Sequence, residues 1–214
     1  MSVVLGITSG TARGGAALVR GDEVLGEAVY EDEMQHAERL FGAIDEAVVA
    51  RESITAIACD IGPGSFTGVR VGLASAKGIA LALGVPLVGV CSLEAMAAAA
   101  FVLSEHELVC TVLDAKRGER FIAVYARDLT AVRAPAHVPA ADALPWLGDL
   151  AERVAFCGRP ELSDRWIRDP ACELPHPTWI AKRGAALLAA GNTADLGALE
   201  PMYLRPPDAT PQPR

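Results

Sequence analysis

The sequence predicts an α/β fold built from two related halves. The first half opens with three short apolar runs separated by glycine-containing turns, at Val3–Ile7, Gly14–Val19 and Val24–Tyr30, a pattern typical of a strand meander. In the second half two further strands, Leu108–Leu113 and Arg120–Tyr125, flank another tight turn. Because the strand pattern restarts, we predict a duplicated unit, with two βββα-based subdomains.

Helices and strands alternate after the first meander. In order, the predicted elements are a helix over Gln35–Val49, a strand over Ile54–Ile61, a helix over Val69–Leu83, a strand over Leu87–Val90 and a helix from Ser92 to Leu103. Apolar residues recur at helical spacing in the first helix. Gly84 and Pro86 end the second helix, and Ser92 caps the third.

The second half has weaker signals. Three prolines, at 135, 139 and 145, break up the stretch after its strand pair, and we expect no regular element there. Val154–Cys157 favours a strand and Thr178–Ala189 a helix. The predicted divisions are an N-terminal subdomain of residues 1–103 that serves dimerisation, a C-terminal subdomain of residues 104–195 and a tail of residues 196–214. The tail is proline-rich from Leu204 onward, and we expect it to be partly disordered.

Composition and charge exclude several classes of protein. No basic leader precedes the first strand, and no apolar run reaches the length of a bilayer span. The five cysteines form no CxxC pair, so we expect reduced core thiols in a cytoplasmic protein. The net charge is -8. A protein that binds RNA strongly by itself needs a basic stripe, and this chain has none.

The most specific stretch is the glycine-rich turn between the predicted strand ending at Ile61 and the helix after it. Its possible anion-binding residues are Gly62, Gly64, Ser65, Thr67 and Gly68. Free backbone N–H groups at a helix start can bind a phosphate. The turn matches neither the P-loop nor the dinucleotide-binding pattern. A purely structural turn and a phosphate cradle are therefore equally good interpretations.

The helix behind this turn is apolar or small on nearly every side. A surface helix has one apolar stripe, so a helix like this is covered twice. Gly72, Ala76 and Ala80 recur every four residues and would allow close approach of another helix. We predict a partner interface here, with internal packing as the alternative. The predicted interface residues are Leu40, Phe41, Ile44, Val69, Arg70, Gly72, Leu73, Ala76, Lys77 and Ala80.

No catalytic or metal-binding constellation stands out. The four histidines are isolated, without the spacing of a metal site. Asp114 and Glu94 are possible general bases, but no neighbour in the sequence supports that role, and structural roles are favoured. We therefore predict no catalytic residue, no metal and no cofactor.

Several motifs together resemble the TsaB (YeaZ) family. They are Gly62-Pro-Gly-Ser-Phe-Thr-Gly-Val-Arg-Val-Gly72, Pro86-Leu-Val-Gly-Val90, Ser92-Leu-Glu-Ala95, Leu113-Asp-Ala-Lys-Arg-Gly-Glu119 and Pro201-Met-Tyr-Leu-Arg205. The resemblance implies an actin-like ATPase (ASKHA) fold and a role in making threonylcarbamoyladenosine on tRNA. It also implies TsaD as heterodimer partner, TsaE as a third component, ATP or ADP bound by these partners, and a homodimer when the chain is alone.

The chain departs from the catalytic relative TsaD at three positions. TsaD holds a metal partly through a His-x-x-x-His pair, and the equivalent positions here are Ser92 and Met96. Actin-like ATPases place an aspartate at the end of the first strand, where this chain has Thr8. The resemblance therefore implies a non-catalytic subunit. The alternatives are a stand-alone actin-like ATPase or metallopeptidase-like hydrolase, and a homodimeric binding module.

Overall fold

The computed structural model of the chain describes residues 2–31, 36–48, 53–159 and 162–205. The strands are β1 (Val3–Thr8), β2 (Arg13–Arg20), β3 (Glu23–Glu31), β4 (Ala56–Asp60), β5 (Leu87–Val90), β6 (Leu108–Asp114), β7 (Glu119–Ala126), β8 (Ala131–Pro139) and β9 (Ala155–Arg159). The helices are α1 (His36–Ala47), α2 (Phe66–Leu83), α3 (Ser92–Leu103), α4 (Ala143–Leu147), α5 (Pro170–Glu173) and α6 (Pro177–Ala189).

The two sheets share one topology. The first sheet has the order β3-β2-β1-β4-β5 and the second the order β8-β7-β6-β9. In each sheet the first three strands form an antiparallel meander, and the fourth pairs in parallel with the first. This repeat of strand order and direction confirms the predicted α/β fold of two βββα-based subdomains.

Each face of the first sheet has its own helical cover. Successive side chains of a strand point to opposite faces. Leu5 and Ile7 of β1 therefore pack in one apolar cluster with helices α1 and α2, whereas Val4 packs in another with Ile180 and Ala181 of α6. Helices α1 and α2 form the outer layer of the molecule, and α6 lies on the inner side of the sheet.

Helices α3 and α6 connect the two halves. Helix α3 follows the first sheet in the chain but packs on the second, where Met96 contacts the cluster around Val109 and Phe121. Helix α6 comes last and packs on the first sheet. Arg183 of α6 donates from Nε to Oε1 of Glu94 in α3 at 2.8 Å. The boundary at residues 103 and 104 stays a prediction, and contacts cross it in both directions.

Strand β8 was not predicted, because prolines interrupt its sequence. It lies at the edge of the second sheet, where one side of a strand needs no hydrogen-bond partner. The register shifts between Ile122 and Val124 of β7, so β7 pairs with Ala136 and Arg133 while Pro135 falls in the irregularity. An edge position and a bulge thus accommodate a residue that a central strand excludes.

Other boundaries also differ from the prediction. Ser92 does not cap α3 but is its first residue, because the N-cap is Cys91 and the Ser92 hydroxyl donates to Asp60 instead. Helix α2 begins at Phe66, three residues earlier than expected, because the Ser65 side chain accepts a hydrogen bond from Gly68 and caps the helix. Leu204 and Arg205, expected in the disordered tail, are packed against the body of the molecule. Gln35, Val49 and residues 206–214 lie outside the described residues. All five cysteines are buried and carry free thiols.

Candidate functional site

A cleft of about 660 Å³ lies between the two subdomains. Its walls are the β1–β2 turn, the start of α2, the β6–β7 turn and the segment 202–205. Apolar side chains such as Leu113, Phe121 and Leu174 form much of the lining, and Lys116 and Arg159 are at its border. The duplicated fold therefore brings its two strand turns together across one cavity.

A buried carboxylate, Asp60, holds the first-subdomain side of the cleft together. Thr8 at the end of β1 donates its hydroxyl to Oδ2 of Asp60 at 2.7 Å. Ser92 at the start of α3 donates to Oδ1 at 2.6 Å, and the Gly62 amide donates to the same oxygen at 2.8 Å. One side chain thus joins the first strand, the glycine-rich turn and helix α3.

Two opposing effects act on the pKa of Asp60, which has only 2% of its surface exposed. Burial raises its pKa above the ordinary aspartate value because the charged form loses water. The hydrogen bonds from Ser92, Gly62 and Thr8 lower the pKa and offset part of this effect. Asp60 is therefore a structural junction that accepts three hydrogen bonds from its own chain.

The glycine-rich turn uses several of its amides internally. The Ser65 amide donates to the carbonyl of Gly10 at 2.6 Å, and the Gly68 amide donates to the Ser65 side chain. Backbone packing is tight, since a Cβ atom on Gly64 would lie 2.3 Å from the Gly10 carbonyl oxygen. The amides of Gly62, Ser65 and Gly68 thus have acceptors within the chain, and the anion-binding role of the turn stays a prediction.

The predicted interface residues divide between the core and the surface. Seven of them have almost no exposed surface: Leu40, Ile44, Val69, Gly72, Leu73, Ala76 and Ala80. This corrects the prediction for these positions, because they pack on the chain's own sheet and a residue without surface cannot contact a second chain. Phe41 and Arg70 are exposed, and Lys77 is half-buried.

A different line of small residues on α2 faces outward. Ala74 and Gly78 follow Arg70 at intervals of four residues, and Leu81 continues the line with 73% of its surface exposed. On neighbouring α1, Phe41 is 56% exposed. We call these five residues the outer helix face. In the sequence, Arg70 was the residue that could have located this exposed face, because charged residues of a helix lie on the side away from the core.

Helix α2 is also the one described helix whose length and composition would allow it to cross a membrane. Core helices of globular proteins pass the same test. In this chain Leu73, Ala76 and Ala80 pack against the first sheet, and Arg70 is exposed. The contacts with the sheet explain the apolar residues on the buried side of α2, whereas Phe66, Leu81 and Leu83 are exposed.

Comparison with known proteins identifies the family. Residues 23–163 match the family model of TsaD, the tRNA N6-adenosine threonylcarbamoyltransferase. A protein of Mycobacterium tuberculosis is 38% identical over 218 residues, which cover 99% of this chain and 95% of the relative. TsaB of Bacillus subtilis, a tRNA threonylcarbamoyladenosine biosynthesis protein, is 30% identical over 94% of this chain and 93% of its own length.

The solved structure of YeaZ from Pseudomonas aeruginosa covers 95% of this chain and 100% of its own, with a TM-score of 0.76 at 27% identity. The chain belongs to the TsaB (YeaZ) family. The resemblance found in the motifs is thereby confirmed, together with the actin-like fold that it implied.

The TsaB fold places both candidate metal positions in structural roles. The Ser92 hydroxyl donates to Asp60, and the Met96 thioether is buried in the apolar cluster of the second sheet. In the described part of the chain, no group of three His, Cys, Asp or Glu side chains is placed to hold a metal ion. A hydroxyl and a thioether do not replace two imidazoles as ligands of iron or zinc, so these residues do not fit the metal centre of TsaD.

The two possible general bases are likewise occupied. Asp114, the last residue of β6, accepts hydrogen bonds from Arg120 and from the Lys116 amide, each at 3.0 Å. Glu94 forms the ion pair with Arg183 that joins α3 to α6. In this TsaB-family chain both carboxylates therefore have structural partners.

Proposed function

We propose that the chain is a non-catalytic cytoplasmic subunit that binds and supports TsaD in forming threonylcarbamoyladenosine on tRNA. Involvement in this biosynthesis follows from the family. The absence of catalysis, the heterodimer with TsaD, the further association with TsaE and the homodimer of the isolated chain belong to the proposal. ATP and ADP would be bound by the partners, and tRNA would be held mainly by them as well.

The proposal is supported mainly by the structural roles of the residues at the positions that are catalytic in relatives. Thr8 and Ser92 are donors to a buried carboxylate, and Met96 is part of a core. Each of these side chains stabilises the fold in the place where a catalytic relative needs a ligand or a charge. A chain that keeps the fold while using these positions for packing is suited to holding a partner.

The outer helix face supports the partner-binding role. Its two largest apolar side chains, Phe41 and Leu81, are mostly exposed, which costs a monomer free energy that association recovers. Ala74 and Gly78 leave room between them, since a Cβ atom on Gly78 would meet no atom within 4 Å. A partner helix can therefore approach α2 closely along this line.

The rival functions make different predictions. A stand-alone ATPase or metallopeptidase-like hydrolase needs ligands for a metal or phosphates, and the described residues at the cleft do not supply the expected set. A homodimeric binding module would use the same outer helix face without TsaD. It is distinguished by whether the homodimer gives way to a heterodimer when TsaD is added.

Reconstitution tests the proposal. Purified chain is mixed with TsaD, TsaE, threonylcarbamoyl-adenylate and unmodified tRNA, and modified adenosine is quantified by mass spectrometry. We expect modification to depend on the chain and to fall at least about tenfold for Ala74→Arg, because the arginine blocks close helix approach. Ala189→Arg, an exposed alanine-to-arginine change on α6, is the matched control and should retain wild-type activity. Equal modification without the chain contradicts the proposal.

A further inference from the structure

An arginine at the start of α2 is held in place by two aromatic rings. The Arg70 guanidinium carbon lies 3.7 Å from the ring centroid of Phe66 and 5.6 Å from that of Tyr203. Its Nε donates to the Tyr203 hydroxyl at 2.7 Å. The two rings lie 5.2 Å apart. Arg70 is thus exposed but oriented, and its two terminal nitrogens make no hydrogen bond to the described residues, which leaves them for another acceptor.

No carboxylate of the described residues pairs with Arg70. Most of the described ion pairs involve an arginine, but Arg70 shares with Arg127, Arg133 and Arg153 the property of taking part in none of them. Helix α2 itself contains no acidic residue, and its two charged residues are Arg70 and Lys77. The charge of α2 itself is therefore positive, whereas neighbouring α1 carries the exposed acids Glu38, Asp45 and Glu46.

We propose that Arg70 is the docking point for a carboxylate of the partner that covers α2. This inference rests on the proposed function, since it names the chemistry by which the outer helix face selects its partner. A guanidinium presents a planar fork of N–H donors that suits a carboxylate, and the stacked rings reduce the entropy lost on binding. Arginine and tyrosine in such settings dominate the binding energy of protein interfaces.

Tyr203 makes the docking point part of the cleft as well. Its neighbour Met202 donates its amide to the carbonyl of Ile61 in the first subdomain at 2.7 Å. Arg205 donates to the carbonyl of Ala115 in the second subdomain at 3.0 Å. Two residues separate these anchors, so the chain between them spans at most about 11 Å. A carboxylate that binds Arg70 therefore also stabilises the segment that forms one wall of the cleft.

A phosphate of tRNA is the alternative ligand for the Arg70 guanidinium. The charge of the whole chain opposes it, because a surface that docks a polyanion needs several neighbouring cations to release counterions. A single oriented arginine beside exposed apolar side chains instead matches a protein interface, in which arginine and tyrosine hot spots are surrounded by contacts that exclude water.

The test measures the affinity of the full chain for TsaD by calorimetry at two salt concentrations. Arg70→Ala should raise the Kd at least about tenfold, as expected of an interface anchor. Arg70→Lys should give a smaller loss because the charge remains. Tyr203→Phe should raise the Kd about threefold by removing the bond that orients Arg70. In an Arg70→Ala background the tyrosine change should have no further effect.

Arg153→Ala is the matched control, because Arg153 is exposed in the second subdomain and has no carboxylate partner among the described residues. It should leave the Kd within twofold, roughly the scatter of surface changes. The wild-type Kd should also rise with salt more steeply than that of Arg70→Ala.

The outcomes separate the two proposals. If the wild-type chain does not bind TsaD at all, the proposed function fails. If it binds and Arg70→Ala binds equally well, the docking point is refuted while the proposed function stands. If Arg70→Ala keeps its affinity for TsaD but weakens retention of tRNA on the assembled complex, the ligand of Arg70 is a phosphate and the inference is overturned. Additive effects of Arg70→Ala and Tyr203→Phe would refute the orienting role of Tyr203.

Discussion

Replacing Ala76 by arginine tests which side of helix α2 belongs to the core. Ala76 has 0% exposed surface and lies in the apolar cluster between α2 and the first sheet. An arginine at this position either stays buried without a counter-ion or pushes α2 off the sheet. Ala74 precedes it by two residues, which places it on the opposite, exposed side of the helix. Ala74→Arg is therefore the same chemical change without burial.

The expected loss in the free energy of unfolding differs greatly between Ala76→Arg and Ala74→Arg. An unpaired charge in a core costs about 3–5 kcal/mol, and overpacking adds about 1–3 kcal/mol. Their sum is comparable to the total stability of a typical domain, about 5–15 kcal/mol. At Ala74, arginine is nearly as good a helix former as alanine, and exposed substitutions change stability by about 0.5 kcal/mol or less.

Urea unfolding followed by circular dichroism, with light scattering to detect aggregates, measures both effects. We expect Ala76→Arg to be largely unfolded or aggregated in buffer. Ala74→Arg should keep the wild-type unfolding midpoint and lose only its binding to TsaD. A wild-type midpoint for Ala76→Arg would refute the packing of α2 described above, as would a loss of about 3 kcal/mol for Ala74→Arg.

Three further predictions concern the cleft, the helix and RNA. Asp60 should titrate above the ordinary aspartate range in carbon-detected NMR, and Thr8→Val should raise its pKa further by removing a donor to the charged form. Because the pKa of Asp60 is higher in the folded than in the unfolded chain, its contribution to stability is largest at acid pH and declines as the pH rises through the folded pKa. A normal or lowered pKa of Asp60 would contradict the burial argument. Gly68→Ala should destabilise the chain, because the added Cβ would lie 2.1 Å from the Ser9 carbonyl oxygen. Gly78→Ala should raise the free energy of unfolding by about 0.5–1 kcal/mol in chemical denaturation, because its Cβ meets no atom within 4 Å and alanine is the better helix former. Equal midpoints for the two glycine variants would refute the tight packing of the turn. The isolated chain should bind tRNA only weakly in a mobility-shift assay at near-physiological salt, and submicromolar affinity would contradict the charge argument.

Much of the fold was predictable because its signals are local. Alternating and helical apolar patterns located strands β1, β2, β3, β6 and β7 and helices α2, α3 and α6, and Gly84 predicted where α2 ends. The doubled strand pattern predicted the duplication. Strand β8 was missed because Pro135 is tolerated only where a strand lies at the edge of a sheet. Whether a strand lies at an edge depends on the assembled sheet and cannot be read from the local sequence.

The sequence by itself determined the family, the fold class and the absence of a paired-histidine motif, since motifs and periodicity are written in the order of residues. Only the tertiary structure decided which line of small residues on α2 is covered, because Ala74 and Ala76 are chemically identical and differ only in the direction they face. It also decided that Thr8, Asp60 and Ser92, separated by up to 84 positions, meet at one junction. Hydrogen bonds between distant segments depend on where the strands and helices pack, and that placement follows from burial of the whole chain.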